Sequence, residues 1–185
     1  MDLIEVISDR FALLQSLYRE TVDSLAPALA VAAERLAEAV LAGQRVWVVS
    51  DPAQRHLAAH FVDRLWFPSE KSRPPFAALF LPADQQATDN HPLSVLVQQG
   101  DPIIALFGTT PSTMAEAALQ VGIDADCPVI AIGHDGNDTL WPRLRGTDIA
   151  IALPDLPLAL HDELLLFTLH TLTETWEAIL LGEIL

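Results

Sequence analysis

The chain has 185 residues, 25 of them acidic and 10 basic, for a formal net charge of −15, and a chain of this length buries a core as one compact unit without metals or disulfides. A surface this negative repels phosphate backbones and acidic lipid, which argues against direct DNA binding and against a membrane partner. The single cysteine, Cys127, cannot form an internal disulfide, and no leader-like segment precedes the first helical pattern, so a cytoplasmic location is expected. Lys71 is the only lysine, so nearly every positive charge is an arginine, the side chain better suited to planar recognition of carboxylates and phosphates. The acidity fits either a salty habitat or a basic partner.

Residues 2–25 place Ile4, Ile7, Phe11, Leu14, Tyr18, Val22 and Leu25 at the three-and-four spacing of one helical face. A second row of Leu3, Val6, Leu13 and Leu17 makes this stripe broader than a peripheral helix needs against its own domain. Pro27 suits the first position of a second helix, which ends at Gly43. Beyond it, apolar runs at 45–49, 76–81, 102–107, 128–132 and 148–153 alternate with helical segments, the pattern of strands covered on both faces. Right-handed crossovers then give a five-stranded parallel sheet in the order 2-1-3-4-5, with Val48 and Ile104 central and little exposed. Ser50 or Asp51 before Pro52, and Thr110 before Pro111, mark helix starts. The polar stretch 84–92 is the expected disordered segment, 133–146 a loop around a short helical turn, and 158–181 a buried or interface helix ending at Gly182, with too short an apolar run to span a bilayer.

In an open parallel sheet, ligands bind beyond the carboxyl ends of the strands. The first such turn, Ser50–Arg55, offers a serine and a helix start, but Pro52 removes a backbone donor, and an ordinary turn is the favoured reading. The segment FGTTPST at 107–113 is the best anion-binding candidate, with hydroxyls at Thr109, Thr110, Ser112 and Thr113; plain capping by Thr110 is the competing and preferred account. His56 and His60, four apart on a helix, read as a chance pair rather than a metal site. His161, Asp162 and Glu163 form a polar helix start in which the acids complement the dipole. Cys127, with no basic activator beside it, reads as structural.

The order of these elements resembles the sugar isomerase (SIS) domain family of the phosphoheptose isomerase type. The resemblance rests on the two N-terminal helices, LLAGQRVWVVS, AAHFVDRL with its His60-Phe61 pair, RPPFAALFLPAD, AIGHDGNDTLWPRLRGTDIAIALPD, and a last helix carrying Glu163. It implies an α/β, flavodoxin-like three-layer sandwich, with N-terminal oligomerisation helices over 1–43 and the SIS domain over 44–185. Within the family the chain is most similar to the DnaA initiator-associating proteins, which implies a homotetramer, a dimer of dimers, that binds the replication initiator DnaA and promotes assembly at the chromosomal origin. Arg73, Leu180 and Leu181 match that group's partner-contact positions.

The departures from the family pattern set the expected activity. Where the resemblance leads one to expect a Gly-Asn-Gly-x-Ser turn, the chain has Ser50, Asp51, Pro52, Ala53 and Gln54; in the turn after the third strand, of the expected serines and glycine only Ser112 remains. Ser50, Asp51, Gln54, Asp84, Thr109, Ser112 and Glu163 are then a vestigial sugar-phosphate site with weak or absent affinity. The family's acid/base glutamate and histidine match Arg64, beside Asp63, and Leu165, neither of which accepts a proton in this role. A non-catalytic adaptor without cofactor or metal is expected on these grounds, with a phosphoheptose (sedoheptulose 7-phosphate) isomerase-like enzyme or a sugar-phosphate sensor as the alternatives.

Overall fold

The computed structural model describes residues 2–68, 72–82 and 92–184. The first helix, α1, runs from Leu3 to Leu41. Its start is fixed by a capping box: the Asp2 side chain accepts from the Ile4 N–H, and the Glu5 side chain accepts from the Asp2 N–H. The second helix expected to begin at Pro27 is not separate, because Pro27 lies inside α1. A proline removes one backbone bond and usually ends a helix. Here Leu25 before it and Leu29, Ala32, Ala33 and Leu36 after it are all buried in the same core, so packing on both sides carries the helix through. At the far end Gly43, with φ +76°, reverses the chain while the Gln44 N–H reaches back to the Ala39 carbonyl.

The strands are β1 (Val46–Ser50), β2 (Ala78–Pro82), β3 (Ile103–Leu106), β4 (Val129–His134) and β5 (Ile149–Leu153). They form one parallel sheet in the expected order β2-β1-β3-β4-β5. Val48 pairs with Ile104 at its centre, and both are fully buried. Alternate residues divide between two layers. Val46, Val48, Ile104, Leu106, Ile130, Ile132 and Ile151 pack against α1, α2 (Arg55–Trp66) and α5 (Leu158–Leu180). Trp47, Val49, Ile103, Ala105, Val129 and Ala131 pack against α3 (Leu93–Leu96) and α4 (Thr113–Asp124). The three-layer α/β architecture expected from the apolar runs is therefore present.

Single 3-10 turns lie at Pro52–Gln54 and Trp141–Arg143, the latter within the expected loop. Helix α4 begins later than expected: Ser112, not Thr110, is its cap, with Ser112 Oγ accepting from the Ala115 N–H at 3.2 Å. Except for Pro92, the stretch 84–92 lies outside the described residues.

Candidate functional site

β1 pairs with β2 on one side and β3 on the other, so the chain leaves these neighbours in opposite directions and opens a crevice at their carboxyl ends. Ser50 closes β1 and is buried, with Oγ unpartnered among the described residues. Asp51 follows, 3% exposed, and its side chain crosses to the turn after β3. One carboxylate oxygen accepts the Gly108 N–H at 2.8 Å and the other the Ser112 N–H at 2.7 Å. Gln54 is also buried; its Oε1 has no partner among the described residues and lies 3.2 Å from where a Cβ on Gly108 would sit. The structure thus brings Ser50, Asp51, Gln54 and Ser112 together. Thr109 and Thr110 are exposed in the same turn.

Other candidates lie elsewhere. Glu163 is exposed on α5, near enough to Tyr18 for its charge, after burial, to push the phenol pKa up. Asp84 lies outside the described residues. Arg73 is held inside the fold, its side chain 2% exposed. It donates from Nε to Glu177 Oε1 at 2.7 Å and from Nη1 to the Leu65 carbonyl at 2.8 Å, and stacks over Phe76. Leu180 is half-buried and Leu181 exposed. Cys127 is buried and its thiol is pushed up by burial, in keeping with a structural role.

The sequence reading paired His60 with His56. The structure pairs it with His170. The two Nε2 atoms lie 2.9 Å apart across α2 and α5, while His56 Nδ1 faces the Ala53 carbonyl. With both rings neutral, this contact requires one Nε2–H and one Nε2 lone pair, so the couple contains an acid and a base. Burial first, then the charge of Arg64 and the neighbouring His60 ring, hold His170 below the ordinary histidine pKa, with Glu174 opposing. His170 is therefore a neutral imidazole near pH 7, able to take a proton. His60, Asp63, Arg64 and Phe67 line an open depression of about 280 Å³ beside it. Leu165, where the resemblance put the family's histidine, is fully buried. His170 lies five residues further along α5. No spacing rule reveals it, because the pair spans 110 residues and forms only when α2 and α5 dock on the same face of the sheet.

A second histidine group sits at the ends of β4 and β5. His134 Nε2 lies 2.9 Å from Asp155 Oδ1, and its ring is 6.3 Å from that of His161. His161 is 1% exposed, neither ring nitrogen has a hydrogen-bond partner among the described residues, Asp162 Oδ1 lies 3.9 Å from its Nδ1, and burial holds its pKa down. Among the described residues, no three His, Cys, Asp or Glu side chains gather to hold a metal ion. Nor, among them, is any helix long and apolar enough to cross a membrane.

No family model matches the chain. Curated relatives nevertheless run its whole length. It is 26% identical over 194 aligned positions to a phosphoheptose isomerase of Azoarcus sp., and 28% over 195 to one of Aromatoleum aromaticum, each alignment covering 98% of both chains. Among solved structures, a phosphoheptose isomerase from Francisella tularensis superposes with a TM-score of 0.79 at 21% identity, over 95% of this chain and 98% of that one. One from Neisseria gonorrhoeae gives 0.81 at 16%, over 96% and 100%. These matches correct the expectation of a non-catalytic DnaA adaptor. The relatives that span the chain are named as isomerases, and the residues at Arg64 and Leu165 do not outweigh that. The special closeness to DnaA-associating proteins, and the replication role drawn from it, have no support in these matches.

Proposed function

We propose that this chain, a SIS-domain protein of the phosphoheptose isomerase type, is an isomerase-like enzyme that interconverts the aldose and ketose forms of a sugar. The observation that carries the reading is the His60–His170 contact at 2.9 Å. Aldose–ketose exchange removes a proton from the carbon beside the carbonyl and returns one to the neighbouring carbon, with a second proton moving between the two oxygens. A pair that holds one lone pair and one N–H performs both parts once the substrate parts the two rings: the released Nε2 lone pair takes the carbon-bound proton while the partner N–H protonates the carbonyl oxygen, giving an enediol. The protonated Nε2 then delivers its proton to the former carbonyl carbon while the deprotonated partner nitrogen takes the proton of the other enediol hydroxyl, which becomes the new carbonyl, with no net change in protons or electrons. Arg64, one turn along α2 from His60, favours the neutral, proton-accepting form of His170. Gln54 and His60 are separated by a rise of about 9 Å along α2, and the proposed substrate would have its far end at the β1 and β3 turns.

The test is direct turnover. Purified protein incubated with a heptulose, as the free sugar and as its phosphate ester, should yield the aldose isomer, and His170→Ala should not. Absence of turnover with both substrates by folded wild-type protein would remove the reading.

We also propose that the first half of α1 pairs with the same segment of another copy, as a homotetramer requires. Ile4, Ile7 and Phe11 are 71%, 58% and 71% exposed, and the helix continues into an apolar groove between α1 and α5 lined by Tyr18, Val22, Leu25 and Phe167. Water does not favour so long an uncovered apolar face, and a helical bundle would bury it.

A further inference from the structure

The turn between β3 and α4 has the parts of an anion slot: two converging backbone N–H groups at the start of a 12-residue helix. In this chain the slot already holds an anion, since each oxygen of the Asp51 carboxylate takes one of the two N–H groups. A backbone N–H makes one good hydrogen bond, so neither of these two N–H groups remains for an incoming phosphate. The carboxylate also offsets the partial positive charge of the α4 start, and its own charge repels a second anion at contact distance. Around it, Ser50 Oγ and Gln54 Oε1 are buried and unpartnered among the described residues. A neutral hydroxyl can satisfy both, since it donates as well as accepts.

We infer that Asp51 is a built-in occupant of the anion slot and determines substrate class: the group that meets this turn is a sugar hydroxyl rather than a phosphate. The choice of a sugar as substrate rests on the isomerase reading above; the occupancy of the slot by Asp51 does not. Thr109 and Thr110, exposed at the mouth of the turn, supply further hydroxyls of the kind that bind polyols.

The experiment is an NMR titration with inorganic phosphate that follows the Gly108 and Ser112 amide resonances. In wild-type protein these should stay in place at millimolar phosphate. In Asp51→Ser they should move, with affinity raised about tenfold or more once the competing charge is gone. Movement of both resonances in the wild type overturns the inference, and so does a folded Asp51→Ser whose resonances ignore phosphate. If Asp51→Ser does not fold, the wild-type titration decides alone. Because this readout involves no turnover, it is independent of the isomerase reading. With that reading intact, kcat/KM should be higher for the free ketose than for the ester phosphorylated at the end that meets the turn, and the reverse order would contradict the substrate assignment.

Discussion

His60 and His170 share a hydrogen bond at 2.9 Å, joining α2 to α5 across 110 residues of sequence. Replacing His170 with alanine should lower kcat by about 10²–10⁴-fold, the usual contribution of a positioned acid or base, while leaving the fold intact because the residue lies at the edge of the core. The pH profile gives a second check. The pKa of His170 is held below the ordinary value of about 6.5, in part by Arg64. Wild-type activity should therefore persist below pH 6.5, and Arg64→Gln should move the acid limb to higher pH.

His161 links stability to pH. Its folded pKa is depressed, by burial first and by His134, with Asp162 opposing. The unfolded chain therefore binds the proton more readily. The neutral, folded form is fully favoured above the unfolded value of about 6.5, and stability falls as pH drops from there toward the folded value, by up to about 1.4 kcal/mol per pH unit. Urea melts of the wild type between pH 8 and 5 should show this slope, and His161→Gln should flatten it.

Arg73 ties the segment before β2 to both flanking helices. Its guanidinium pairs with Glu177 on α5 and bonds the Leu65 and Arg64 carbonyls on α2. Side-chain exposures of 2% and 10% mark the pair as buried. Arg73→Met should then cost about 3–5 kcal/mol in urea unfolding, because it leaves Glu177 as an unpaired buried charge. The double variant Arg73→Met with Glu177→Leu should recover part of that loss.

The sheet was legible from sequence because each strand is a short apolar run buried on both faces, and such runs read the same wherever the strand sits. Val48 and Ile104 were placed correctly for that reason. Local signals failed where tertiary packing outweighed them. Pro27 reads as a helix start, yet Leu25 and Leu29 bury into one core and hold α1 in a single piece. Thr110 before Pro111 reads as a cap, yet the turn extends to Ser112 so that its N–H can reach Asp51. Asp51 reads from sequence as a helix start and as part of a vestigial site that departs from a glycine-rich pattern, but nothing local shows where its side chain will cross to. His170 was hidden for the same reason: its partner comes from another helix.

Assembly should depend on the exposed half of α1. Ile7→Asp with Phe11→Asp places charges where the proposed bundle is apolar, and light scattering should show a shift from a tetramer to smaller species. A wild-type protein that is already monomeric at micromolar concentration would contradict the pairing.

The isomerase account is tested most directly by solvent deuterium incorporation, which registers proton removal from carbon even when net conversion is small. The protein is incubated in D2O with a heptulose and, separately, with its phosphate ester, and the carbons beside the carbonyl are followed by NMR. The account predicts deuterium at the exchanging carbon with wild-type protein, faster for the free sugar, and loss of the label with His170→Ala. If folded wild-type protein incorporates no deuterium from either substrate above the protein-free control, the His60–His170 pair is not a proton-transfer centre and the proposed activity is wrong.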